Sequence, residues 1–132
     1  MAQLTLIVVT PETTVLDEQV DFVALPLFDG EIGIAPLHSP MIGRLGFGEM
    51  RIVRNEVERR IYVDGGFVQV ADNVVSVLTN RSVDVKDLNA AAAEEQLKTA
   101  MKQKADTDEL LAIRDRAVAQ SRAQLQAVRR AK

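Results

Sequence analysis

The chain has no cysteine, which excludes disulfides, thiol nucleophiles and Cys-bound metal sites. It has one histidine, His38, so a His-rich metal centre and most catalytic triads are excluded within a single copy. No apolar run approaches the roughly 18 residues of a membrane span. The start, Met1-Ala2-Gln3-Leu4, lacks a basic segment followed by an apolar one, so no secretory signal is expected. There is no P-loop, no dinucleotide fingerprint and no helix-borne histidine pair. Asp64-Gly65-Gly66 is too short to cradle phosphates, and the acid pairs Glu56/Glu58 and Glu94/Glu95 read as solvated surface. These absences describe a soluble protein of a reducing compartment that interacts rather than catalyses.

Glycine and proline are absent after Val85, although seven glycines and four prolines occur before it. Charge changes at the same place. Residues 1–84 carry 6 basic and 12 acidic residues, and residues 85–132 carry 10 basic and 7 acidic, which gives −6 and +3 within a net −3. Two domains are therefore expected, 1–84 and 85–132, with the boundary near residues 82–87.

Short β-branched runs fill the first part: Leu4–Val9, Val20–Leu25, Gly46–Val53, Val57–Val63, Phe67–Val70 and Val74–Leu78. Turns are expected at Arg54-Asn55-Glu56, at Asp64-Gly65-Gly66 and at Ala71-Asp72-Asn73. Many short strands at this spacing imply a sandwich or barrel. The period then becomes helical. Asp87 is placed to cap a helix from Leu88 to about Lys104, and Asp106 to Glu109 has capping-box spacing for a second helix to about Arg130. The short link predicts an antiparallel hairpin. Its expected seam is thin: Ala93, Leu97, Ala100 and Met101 against Leu110, Ala117, Leu125 and Val128. Alanine buries little area per turn, so such a hairpin is marginal without support. The second helix is basic through Arg114, Arg116, Arg122, Arg129, Arg130 and Lys132, and suits an acidic partner. Without aromatics in the helices, and with an acidic chain overall, nucleic acid is a poor candidate.

The most irregular stretch is Gly30-Glu31-Ile32-Gly33-Ile34-Ala35-Pro36-Leu37-His38-Ser39-Pro40. Two prolines remove N–H donors, so the run cannot be a central strand. It reads as a rigid, partly buried loop that displays Glu31 and His38.

That stretch, followed by Val63-Asp64-Gly65-Gly66-Phe67-Val68-Gln69-Val70 and Val74-Val75-Ser76-Val77-Leu78, resembles the epsilon subunit of bacterial F-type ATP synthases. The order, the spacing and the helical hairpin that follows all fit, over nearly the whole chain. The family pattern has glycine where this chain has Leu37. The resemblance implies a β-sandwich of short strands followed by an antiparallel two-helix hairpin. It implies a non-catalytic rotor subunit of the central stalk of a proton- or sodium-translocating enzyme. The sandwich, 1–84, would bind the gamma subunit and rest on the membrane c-ring, with Glu31 as the c-ring contact and His38 as a gamma contact. The hairpin, 85–132, can extend in this family along gamma into the catalytic head of alpha and beta subunits and inhibit ATP hydrolysis; the arginines of its second helix would meet an acidic segment of beta. Some family members bind ATP between the helices through Ile/Leu-Asp-x-x-Arg-Ala. Here Asn89 replaces the acid and Ala92 the arginine; Arg122 is retained, and Gln126 stands for a second arginine. An alanine cannot bond a phosphate, so weak or no ATP binding is expected, with no cofactor and no metal. The implied location is peripheral, on the cytoplasmic face of the bacterial plasma membrane, without lipid insertion.

Overall fold

The computed structural model describes residues 3–130. The chain divides into two compact units between Asp84 and Val85. Each is described by itself.

The first unit is a β-sandwich built from one open eight-stranded sheet. Its strands are β1 (Leu4–Val9), β2 (Thr14–Val20), β3 (Phe22–Leu27), β4 (Gly30–Ile34), β5 (Met41–Arg54), β6 (Val57–Ala71), β7 (Val74–Leu78) and β8 (Ser82–Asp84). The order is β2-β1-β7-β6-β5-β3-β4, with β8 added on β6. Only β1 and β7 run parallel; the other pairs are antiparallel. Alternation in sequence becomes alternation in burial: Leu4, Leu6 and Val8 on β1 are fully buried, as are Val75 and Val77 on β7. These join Val23, Leu25, Ile34, Met50 and Ile52 in one apolar core.

Two hairpin turns lie where the sequence placed them. Asn55 and Glu56, at φ 51° and 67°, close β5 on β6; Asp72 and Asn73, at φ 51° and 61°, close β6 on β7. Two successive left-handed residues match the twist of the flanking strands. Asp64-Gly65-Gly66 is different. The expected turn is a bend inside β6, which stays paired with β5 on both sides through Phe47↔Asp64 and Leu45↔Gly66. Gly65 and Gly66 have φ of 70° and 109°, and a Cβ on Gly66 would lie 1.9 Å from the Leu78 carbonyl oxygen. The bend does two things. It changes the partner of β6 from β8, at Ile61–Val63, to β7, at Phe67–Ala71. It also moves the core-facing residues from odd positions (Ile61, Val63) to even ones (Val68, Val70). The expected chain reversal does not occur, because continuous pairing to β5 carries the strand through the two glycines.

β2 lies outside the expected strands except for Val20, which was expected to begin the strand that the structure starts at Phe22. On its inward side Leu16 and Val20 are separated by Glu18, so alternation is weak. Glu18 is held by Arg59 at 2.8 Å and by Arg54 at 4.0 Å. A charge on the inward side of an edge strand discourages pairing with another chain.

The second unit holds a short 3-10 turn, Val85–Asp87, then α1 (Ala90–Lys102) and α2 (Asp108–Arg130), which pack against each other. Both helix starts differ from expectation. Asp87 belongs to the 3-10 turn; Asn89 caps α1, its Oδ1 accepting from the Ala92 N–H at 3.0 Å. Thr107 rather than Asp106 caps α2, its Oγ1 accepting from the Leu110 N–H at 3.1 Å. In each case the residue directly before the first helical turn has the geometry to reach a free N–H group. Ala93, Ala100, Ser121, Gln124, Leu125 and Ala127 are buried, while Met101 and Leu110, expected in the seam, are exposed. Small side chains at the seam leave room for Ser121, whose hydroxyl donates to the Ala117 carbonyl at 2.9 Å. No described helix is long and apolar enough to cross a membrane.

Candidate functional site

The first half of the irregular stretch is the edge strand β4, and the second half is a turn. Gly30–Ile34 pairs with β3 alone, from Leu27↔Gly30 to Val23↔Ile34, so the proline-flanked run occupies an edge, where missing donors are tolerated. Glu31 lies opposite Pro26 and Arg51 opposite Ala24, so the two flank β3. The Arg51 guanidinium donates to the Glu31 carboxylate at 2.8 Å. Both side chains are solvent-accessible, so the pair is worth about 0.2–1 kcal/mol and orients Glu31 more than it stabilises the sheet.

Ala35-Pro36-Leu37-His38 is a β-turn closed by His38 N–H to the Ala35 carbonyl at 3.2 Å. Pro36 takes the second position, and Leu37 takes the third at φ 69°, the type II arrangement that favours glycine there. A β-carbon in that region costs about 1–2 kcal/mol. The Leu37 N–H donates to Asn73 Oδ1 at 2.6 Å, which ties the turn to the β6–β7 hairpin. His38 is half-buried, with Nδ1 2.7 Å from the Ser39 carbonyl. Since a carbonyl can only accept, that nitrogen carries the proton, and the ring is fixed by its own loop.

The sheet also presents an apolar outer face. Across four strands, one row reads Arg44–Phe67–Leu78–Val9 and the next Ile42–Gln69–Ser76–Ile7. Ile42, Phe67 and Leu78 are 77%, 59% and 52% exposed. Phe28, at the β3–β4 turn, lies under the Arg44 guanidinium at 4.7 Å. An outer face of an antiparallel sheet is ordinarily polar, so a cluster of this kind marks a contact surface. Sequence reasoning places Ile7, Val9, Phe67 and Leu78 in strands and Phe28 at a turn, and gives Ile42 and Arg44 no place in a strand. The available signal was the run Val74-Val75-Ser76-Val77-Leu78, apolar at both parities, which is the pattern of a strand covered on both faces.

In the hairpin, Arg114 is half-buried and Arg116, Arg122, Arg129 and Arg130 are exposed. Arg122 and Arg129, seven residues apart, share one side of α2, and the other arginines lie around the helix from them. Lys132 lies outside the described residues. Asn89, a residue of the degraded nucleotide motif, has its side-chain oxygen engaged as the α1 cap. No cluster of three or more potential metal ligands occurs among the described residues.

Residues 3–85 match the family model described as ATP synthase, Delta/Epsilon chain, beta-sandwich domain. The ATP synthase epsilon chain of Rhodopirellula baltica is 48% identical over 123 residues, covering 93% of this chain and 96% of that protein. The epsilon chain of Granulibacter bethesdensis is 38% identical over 111 residues, covering 83% and 82%. Among solved structures, a chain of the Euglena gracilis mitochondrial ATP synthase (OSCP/F1/c-ring) superposes with a TM-score of 0.86 at 20% identity, over 97% of this chain and 82% of that one. A chain of the Tetrahymena thermophila mitochondrial ATP synthase central stalk and c-ring gives 0.76 at 17% identity, over 95% and 96%. At those identities the structural likeness speaks for the fold.

Proposed function

The chain belongs to the ATP synthase epsilon-chain family, and from that premise we propose that it is a rotor subunit of the central stalk, without catalytic residues of its own. Its β-sandwich docks on gamma and rests on the c-ring during ATP synthesis. The observation that carries this reading, beside the family match, is the apolar outer face of Ile42, Phe67 and Leu78 with Ile7 and Val9. Such a face gains free energy only when a partner removes it from water. Gamma is the proposed occupant, with His38 at the margin of the contact. Glu31, held by Arg51 on the β4 edge, is the proposed c-ring contact. The location is peripheral, on the cytoplasmic side of the membrane that holds the c-ring.

The hairpin is the proposed regulatory element. An alanine-rich seam separates at low cost, and the arginines of α2 steer it to acidic segments of the catalytic beta subunits within the alpha–beta head. Its charge sets approach and register more than affinity, since burying ion pairs is not reliably favourable. Nucleotide does not hold this hairpin: Ala92 offers no phosphate donor and Asn89 caps a helix. Micromolar binding of Mg-ATP in a calorimetric titration would contradict that statement.

Titration of the full chain against its cognate gamma subunit tests the docking surface. Phe67→Ser and Leu78→Ser should each weaken binding about tenfold or more, the equivalent of a lost buried side chain. Unchanged affinity in both would remove this face from the interface.

A further inference from the structure

We propose that β8 is a releasable strap: a three-residue strand that lifts off β6 as a unit, as far as a fixed stop at Arg81, and so lengthens the tether of the helical hairpin. Its regulatory consequence rests on the restraint of hydrolysis proposed above. The strap itself follows from the hydrogen bonds and burial at one corner of the sandwich.

Little holds β8 in place. It pairs with β6 alone, through Ile61↔Asp84, Tyr62↔Val83 and Val63↔Ser82, and lies off the main strand order. Ser82, Val83 and Asp84 are all half-buried, and none of them joins the apolar core. The Ser82 Oγ is buried with no hydrogen-bond partner among the described residues. A buried hydroxyl in that state has lost its bonds to water, and release of the strand restores them. A short ladder with few buried apolar contacts opens locally, well before the domain unfolds.

The residues just before β8 are fixed. Thr79 is buried, and its N–H donates to the Val9 carbonyl at 3.0 Å, which ties it to β1. Its Oγ1 accepts from the Asp64 N–H at 3.0 Å and donates to the Arg81 carbonyl at 3.2 Å. The Asp64 N–H also reaches the Arg81 carbonyl at 3.2 Å, and Asn80 Nδ2 donates to the Asp64 carbonyl at 3.2 Å. Asp64 is thus gripped through both its N–H and its carbonyl. Beside it, Gly66 lets the Leu78–Thr79 backbone pass against β6, where a Cβ would collide with it. An opening that begins at Asp84 therefore stops at Arg81. Beyond β8, the Val85–Asp87 turn packs against α2 and moves with the hairpin. Between these two fixed points lie only Ser82, Val83 and Asp84. Their release moves the pivot of the tether back by about 10 Å of extended chain, and the reach of the hairpin grows accordingly.

Native-state hydrogen exchange of the full chain tests the strap and its stop. The ladder-bonded amides of β8 should exchange about a hundredfold or more faster than those of Asp64, Val68 and Val70. Equal protection overturns the strap. Thr79→Val should raise the exchange rate of Asp64 toward that of β8 while β1 amides keep theirs; an unchanged Asp64 rate overturns the stop. A reversible lock tests the regulatory consequence. The chain has no cysteine, so Val63→Cys with Ser82→Cys allows one disulfide within it. The two positions are directly opposite in the ladder, a separation that suits a disulfide. In the cognate alpha–beta–gamma assembly, the oxidised chain should hydrolyse ATP at a rate approaching that of a chain ending at Asp84. Reduction should return the wild-type rate, and wild type carried through the same treatment should not change. Equal rates in the oxidised and reduced chains, with the shortened chain still faster, overturn the strap's part in regulation and leave the hairpin's standing. If the shortened chain hydrolyses ATP like the full chain, the regulatory reading falls, and the exchange result alone decides the strap.

Discussion

The sandwich and the hairpin solve the problem of burial in opposite ways. The sandwich core is made of Leu, Ile, Val and Met, many fully buried, drawn from strands far apart in sequence. The hairpin buries alanines, Ser121 and Gln124, with Leu125 its one large buried residue in the helices. Area removed from water sets stability at about 25 cal/mol per Å², so the seam between the helices contributes less per residue than the core of the sheet. The exposed apolar residues differ too. On the sandwich they form a face; on the hairpin, Met101, Leu110, Leu111 and Ile113 gather near the link between the helices. The docking and regulatory roles proposed for the two units rest on this division.

The comparison can be broken most strongly at the β6 bend. Gly66→Ala puts a Cβ against the Leu78 carbonyl in a backbone region that alanine rarely adopts. It is expected to destabilise the sandwich by about 3 kcal/mol or more in urea unfolding. Wild-type stability would mean that the bend does not organise the sheet. Core truncation sharpens the contrast between the units. Ile52→Ala is expected to lose about 2–5 kcal/mol, and Leu125→Ala at or below the low edge of that range, since its seam is made of small residues. Equal losses would contradict the thin-seam reading. Smaller still is the cap: Asn89→Ala should lose about 1 kcal/mol, seen as faster amide exchange in the first turn of α1 with sandwich amides unchanged. Smallest is the Glu31–Arg51 pair, where a double-mutant cycle should give a coupling under about 1 kcal/mol that fades with added salt.

Much of this was legible in the chain before any coordinates. Loss of Gly and Pro after Val85 signals a change to helix because both residues disfavour helix interiors. Asn55-Glu56 and Asp72-Asn73 read as turns because Asn and Asp tolerate left-handed backbone. Three features were not legible, each because a distant contact decided it. Gly65-Gly66 looks like a chain reversal until β5 is seen to run alongside on both sides. β2 is masked by Glu18, whose inward place makes sense only with Arg59 beside it. Arg51 and Asn73 carry no local motif; they matter through Glu31 and Leu37, which the fold brings to them from other strands. The boundary also gains a residue-level meaning. Ser82–Asp84 forms β8 on β6, so a cut after Ser82 would remove most of a strand of the platform, and a clean separation falls after Asp84.

That cut provides the most direct test of the account. Full-length chain and a chain ending at Asp84 are each reconstituted with the cognate alpha, beta and gamma subunits, and ATP hydrolysis and binding to the assembly are measured side by side. A platform carrying the docking surface, with a hairpin that restrains hydrolysis, predicts equal binding and faster hydrolysis in the shortened chain. Loss of binding, or equal hydrolysis in the two assemblies, would contradict it.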